Sequence, residues 1–108
     1  MPENAMNGWK HICSLEDIPV LGARIVRRSG LPDIALFRNG KNQVFALEDQ
    51  CPHKKGPLSQ GIVTADAVTC PLHGWKIRLE SGQAAEPDVG CVPHYPVRIE
   101  TGEIFIHF

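Results

Sequence analysis

Cys51-Pro52-His53-Lys54-Lys55-Gly56-Pro57-Leu58 and Cys70-Pro71-Leu72-His73-Gly74-Trp75 decide how this chain is read. Proline and glycine at this density are loop chemistry, because proline fixes φ and withholds a donor while glycine supplies conformations that other residues avoid. Each loop carries one thiol and one imidazole. Sixteen residues lie between His53 and Cys70, enough for a β excursion that returns the second loop beside the first. Four soft or borderline donors could then close on one small inorganic core.

Outward from these loops the text reads as short strands. Upstream, Trp9 to Cys13 is a strand, followed by a single turn over Ser14-Leu15-Glu16-Asp17-Ile18-Pro19 that Ser14 caps and Pro19 stops. Arg24 to Arg28 and Ile34 to Arg38 flank a turn at Ser29-Gly30-Leu31-Pro32-Asp33. Asn39-Gly40-Lys41-Asn42 is a hairpin signal, and Val44 to Leu47 is the returning strand. Downstream, Ile62 to Thr69 divides into two short strands around Asp66, and Lys76 to Leu79 is a third. A turn at Glu80-Ser81-Gly82-Gln83 leads to an irregular stretch from Ala84 to Gly90, in which Pro87 belongs to a third loop. A hairpin of Tyr95 to Ile99 and Ile104 to Phe108 closes the chain. No long helical period, repeat or low-complexity tract interrupts this all-β pattern. The expected division is a flexible tail over residues 1–8 and one domain over residues 9–108.

Two cysteines with two histidines are a common structural zinc set. Zinc fingers, however, keep the cysteines in one pair and the histidines in another, with a helix carrying the histidines. Here each loop is mixed, and no helix is available. One sulfur and one nitrogen per loop matches an asymmetric cluster, with two sulfurs on one iron and two nitrogens on the other. A structural zinc module remains the competing reading.

Cys-x-His followed by Cys-x-x-His, with Gly56, Pro71, Gly74 and Trp75 around it, resembles the ligand loops of Rieske iron–sulfur proteins. The likeness runs from Trp9 to Phe108. It implies an all-β, Rieske-type iron–sulfur domain of stacked antiparallel sheets with two cluster-binding loops. It also implies one [2Fe–2S] cluster, with Cys51 and Cys70 on one iron and His53 and His73 on the other, nearer solvent. Neutral imidazoles in place of two thiolates lower the negative charge of the site and ease electron entry. The outer imidazoles should bind protons more tightly after reduction, so the potential should fall as pH rises past their titration.

Respiratory members of the family carry an additional cysteine in each ligand loop and a serine donating to a cluster sulfide. Gly56, Leu72 and Trp75 stand at the matching positions here. Without that disulfide and hydroxyl, the resemblance implies the low-potential, ferredoxin-like branch.

Three phrases resemble the small subunit of assimilatory NAD(P)H-dependent nitrite reductase. They are Cys13-Ser14-Leu15-Glu16-Asp17-Ile18-Pro19, the run from Cys51 to Val63, and Gly90-Cys91-Val92-Pro93 leading to Tyr95-Pro96-Val97-Arg98-Ile99. The implied role is electron transfer during reduction of nitrite to ammonia. Siroheme, FAD and NAD(P)H would all reside on a large partner subunit, and no catalytic residue is read from this chain. The alternative is a freestanding Rieske ferredoxin serving an aromatic-ring dioxygenase and its flavin reductase. The chain has no two-histidine, one-carboxylate pattern for mononuclear iron, so it would be an oxygenase's donor and not the oxygenase.

The bulk composition agrees with a carrier. The 108 residues hold 43% hydrophobic and 21% charged residues, enough for a modest core, and the net charge of −1 gives no basic footprint for nucleic acid. No stretch approaches the roughly 20 apolar residues that cross a bilayer, and no secretory signal opens the chain, so a cytoplasmic location without membrane attachment is expected. Cys13 and Cys91 are expected to be ordinary thiols, and His11, His94 and His107 structural or solvated. Lys54 and Lys55 would meet an acidic partner or simply face solvent.

Overall fold

The computed structural model describes residues 8–52, 56–72, 74–86 and 88–108. The expected tail, apart from Gly8, lies outside them. Among the described residues ten strands run in order: β1 (Trp9–Ser14), β2 (Gly22–Arg28), β3 (Leu31–Arg38), β4 (Val44–Glu48) and β5 (Ile62–Val63), then β6 (Ala67–Thr69), β7 (Lys76–Arg78), β8 (His94–Tyr95), β9 (Val97–Glu100) and β10 (Glu103–His107). Three antiparallel sheets result, ordered β1-β10-β9, β2-β3-β4-β8 and β5-β6-β7. The expected stacked, antiparallel all-β architecture is present. Among the described residues, no helix is long and apolar enough to cross a membrane.

The position of the site follows from β3. Ile34, Ala35, Leu36 and Phe37 are all buried, as in a strand covered on both faces. Alternation sends Ile34 and Leu36 to one face, where Cys13, Ile18, Ile104 and Ile106 complete a core with Val44 and Ala46. Ala35 and Phe37 face the other way, into a second core with Leu47, Cys51, Leu58, Val63, Val68, Cys70, Ile77 and Leu79. The four-stranded sheet is therefore a shared wall. One face seats the sheet made by the chain's outer strands, and the other seats both cysteine loops.

Several local features differ from the sequence expectation. The turn between β2 and β3 shrinks to Ser29-Gly30, because Leu31-Pro32-Asp33 joins β3 and Arg28 pairs with Leu31. The expected single strand from Tyr95 to Ile99 is divided at Pro96. Tyr95 pairs with Ala46 in the wall, whereas Val97 pairs with Ile106 in the outer sheet. Proline cannot donate to a ladder, so it marks the point where the chain changes sheets. At the turn over Leu15–Asp17, the Ser14 N–H donates to Asp17 Oδ2 at 3.0 Å, and the Ser14 hydroxyl reaches across to Glu103 Oε2 at 3.2 Å.

The hairpin between β3 and β4 forms where Asn39-Gly40-Lys41-Asn42 signalled it, but Asn39 organises it. Its Oδ1 accepts from the N–H of Lys41 at 3.0 Å and of Gln43 at 2.9 Å, and Asn42 takes the positive φ of 63°. An asparagine side chain bonding to nearby backbone groups is a known route to a turn.

Candidate metal centre

The first loop leaves β4 and closes on itself, with the Cys51 N–H donating to the Gly56 carbonyl at 2.8 Å. The second joins β6 to β7. Its Cys70 N–H donates to the Trp75 carbonyl at 2.6 Å, and the Gly74 N–H returns to the Cys70 carbonyl at 3.1 Å. Gly74 completes this turn at φ +74°, a conformation glycine adopts without steric cost. Each cysteine thus stands at the stem of a tight loop fixed by its own backbone hydrogen bond.

The two loops meet. A Cβ on Gly56 would lie 2.6 Å from Leu72 Cδ1 and 3.7 Å from Cys70 Sγ, so the absence of a side chain at position 56 is what permits this approach. A third loop packs against both: a Cβ on Gly90 would lie 3.1 Å from Pro52 Cβ and 3.8 Å from Trp75 Cζ3. The expected third loop is present, although Pro87 lies outside the described residues. Its base is held where the Val92 N–H donates to the Gly82 carbonyl at 2.7 Å and the Ala85 N–H to the Lys76 carbonyl at 2.8 Å.

Cys51 is 0% and Cys70 1% exposed, and both belong to the same apolar core, with half-buried Trp75 packed against it. None of the four cysteines forms a disulfide. His53 and His73 lie outside the described residues, as do Lys54 and Lys55. The described part of the expected donor set therefore fits a cluster: two thiols on adjoining loops, shielded from water, with room left by a glycine. Among the described residues, no group of three metal-capable side chains converges, and Cys51 and Cys70 stand as a pair. Cys13 is buried beneath the outer sheet and Cys91 is exposed, so neither joins the pair. His11 bonds Glu103 at 2.6 Å on the outer sheet, and His94 and His107 are exposed.

A profile of the Rieske-like [2Fe-2S] domain matches residues 8–107. The chain belongs to that family. A Rieske domain binds one [2Fe–2S] cluster, which displaces the structural-zinc reading. Over 97 residues the chain is 37% identical to the ferredoxin subunit of 3-phenylpropionate/cinnamic acid dioxygenase from Photorhabdus laumondii, covering 88% of this chain and 90% of that one. It also shares 36% identity over 85 residues with 4beta-methylsterol monooxygenase of Methylococcus capsulatus, where it spans only 23% of the enzyme's length. Among solved structures, it superposes on a chain from a complex of reduced oxygenase and oxidised ferredoxin in carbazole 1,9a-dioxygenase. The TM-score is 0.81 with 28% identity, covering 92% of each chain. It also superposes on a protein described as the small subunit of an NADPH nitrite reductase, with TM-score 0.79, 25% identity and coverage of 91% and 96%.

Asp49 and Ser59 are joined across the base of the first loop, and Gly90 packs beside Pro52 and Trp75; no sequence signal marks any of the three as part of the site. An aspartate two positions before Cys51 and a serine ten residues later carry no spacing rule that would join them.

Proposed function

We propose that Cys51, His53, Cys70 and His73 ligate the [2Fe–2S] cluster and that the chain is a one-electron carrier between a reductase and a terminal enzyme. The observation that carries this reading is the convergence of Cys51 and Cys70 in one dry core from two glycine-spaced loops. When bound, the cluster supplies reversible one-electron transfer. The chain's own contribution is to hold the thiol side in a low-dielectric interior and to present a partner surface at the loops. Leu72 is 51% and Val89 86% exposed, and they give the second and third loops an apolar rim suited to transient docking.

The relatives spanning nearly the full chain favour a freestanding ferredoxin that passes electrons from a flavin reductase to an oxygenase. A second reading, the small subunit of a NAD(P)H-dependent nitrite reductase, is supported by a different observation. The phrases at Cys13 to Pro19, Cys51 to Val63 and Gly90 to Ile99 resemble that subunit, and a protein so described shares the fold over 91% of this chain.

Anaerobic pull-down of the tagged chain from its native cells tests both. Co-purification of a mononuclear-iron oxygenase or a flavin-only reductase supports the ferredoxin. A large partner bearing siroheme and flavin replaces it with the nitrite reductase subunit. Iron and sulfide analysis of Cys51→Ser and Cys70→Ser tests the ligands: a fully assembled cluster in either variant overturns the assignment.

A further inference from the structure

The first ligand loop is closed twice. The inner closure is the Cys51–Gly56 backbone bond. The outer closure is Asp49, whose Oδ1 accepts from the Ser59 N–H at 2.7 Å while its Oδ2 accepts from the Ser59 hydroxyl at 2.7 Å. Both residues are half-buried.

Ser59 sits in the 3₁₀ turn Leu58–Gln60, which follows Pro57. The first N–H groups of such a turn have no partner within it, and a proline before it offers no side-chain acceptor. Asp49 supplies that acceptor from the opposite end of the loop. The turn is anchored on its other side by Leu58, fully buried in the core that holds Cys51 and Cys70. Asp49 is itself anchored, because its N–H donates to the Asp33 carbonyl at the start of β3 at 2.9 Å. One carboxylate therefore links the wall sheet, the exit from β4 and the far stem of the loop.

We propose that Asp49 is a positioning residue for the cluster site: its bidentate clamp on Ser59 sets the spacing of the stems of the loop bearing Cys51 and His53. This rests on the ligand assignment above. Hydrogen bonds to an ionised carboxylate are about twice as strong as neutral ones, and two of them to one residue fix rotation as well as distance. A loop clamped this way presents its ligands without first having to be ordered by the metal site.

The test uses the cluster-loaded protein in three variants: Ser59→Ala, Asp49→Asn and Asp49→Ala. The readouts are the electron paramagnetic resonance g-values of the reduced protein, its reduction potential, the rate of bleaching by an iron chelator, and the melting temperature. Asp49→Ala should bleach about tenfold faster than the native protein, with altered g-values, as expected for loss of a residue that supports a ligand. Ser59→Ala keeps the backbone N–H bond and should fall between the two. Asp49→Asn retains an oxygen for that N–H and an amide that can donate to the hydroxyl, so it should restore the g-values toward native. If Asp49→Ala fails to fold, Ser59→Ala carries the test. Native g-values, potential and bleaching rate in both Ser59→Ala and Asp49→Ala, with only the melting temperature lowered, would overturn the proposal, as would native values in Ser59→Ala alone where Asp49→Ala does not fold. Failure of the ligand assignment reads differently, since Cys51→Ser would then keep the native signal.

Discussion

Asn39 Nδ2 donates to the Ala65 carbonyl at 2.7 Å, joining residues 26 positions apart. Ala65 lies in the turn between β5 and β6, on the sheet that supports the second cysteine loop, whereas Asn39 directly follows β3 of the wall. Asn39 is fully buried and all its polar capacity is used: Nδ2 also reaches Gln43 Oε1 at 2.8 Å, and Oδ1 takes two backbone donors. One side chain thus shapes a hairpin and attaches the sheet under the second cysteine loop to it.

Asn39→Ala should therefore be costly away from any ligand. It removes the four hydrogen bonds of a buried amide, each worth about 0.5–1.5 kcal/mol net. Urea unfolding should show a loss of about 2–4 kcal/mol, since water can re-bond the exposed Ala65 and Gln43 groups in part. Asn39→Asp should recover little, because a carboxylate keeps the acceptor but has no donor for Ala65. A variant unfolding at the native urea concentration would remove Asn39 from this role.

Two glycines with similar φ should respond very differently to alanine. Gly82 has φ +76°, and a Cβ there would collide with the Val92 carbonyl at the base of the third loop. Gly102 has φ +79° but opens onto empty space. Gly102→Ala should cost about 1–2 kcal/mol, the left-handed penalty alone. Gly82→Ala adds a backbone collision and should cost more than that, with weaker cluster retention. Paired thermal melts, with absorption spectra before heating, check the contrast; equal losses would contradict it.

The thiols outside the core of Cys51 and Cys70 should separate by reactivity. Cys91 is exposed, whereas Cys13 is buried and its thiol titrates above the usual 9.0, chiefly through burial; Arg24 opposes this shift, and Asp17 and Glu103 add to it. Iodoacetamide at neutral pH, followed by peptide mass spectrometry, should modify Cys91 and spare Cys13 until the protein unfolds. The sign of the pH effect follows from the raised value. Stability linked to the neutral Cys13 thiol is complete below pH 9.0 and lost as pH rises through the higher folded value. Cys13→Ala should therefore have a shallower alkaline fall in stability than the native protein, and identical slopes would contradict this.

The exposed rim should matter to partners and not to the fold. Val89→Ser should change stability by less than about 0.5 kcal/mol, since that side chain is 86% exposed, and Leu72→Ser by about 1 kcal/mol, since half of Leu72 packs on Gly56. Reductase and acceptor kinetics should show a raised KM for this protein. An unchanged KM for both partners would move the docking surface elsewhere.

Strand positions were legible because alternation and punctuation agree in this sequence. The run Ile34 to Phe37 between turn residues could only be a strand, and Asn39-Gly40 fell where the chain reverses. Both cysteines could be read as a pair because each begins a loop rich in proline and glycine. Less legible was anything depending on sheet assignment. Tyr95 and Val97 sit two apart in an apparently continuous strand, and only the packing reveals that Pro96 moves the chain from one sheet to another. The Asp49–Ser59 clamp was invisible for a related reason. Its partners are ordinary loop residues, and their meeting depends on how Leu58 seats the 3₁₀ turn.

The sheet that carries the second cysteine loop is built from strands of two, three and three residues, whereas β3 alone has eight. Strands that short supply few hydrogen bonds, and the loops they support depend on contacts made at their ends. The molecule should therefore open in parts, in the manner of a foldon hierarchy. Amides of β5, β6 and β7 should exchange with deuterium well before those of β3 and β4 once iron is withdrawn. A cell short of iron would then hold a chain with one ordered half and one half open to proteases, so that abundance of the carrier follows supply of its metal.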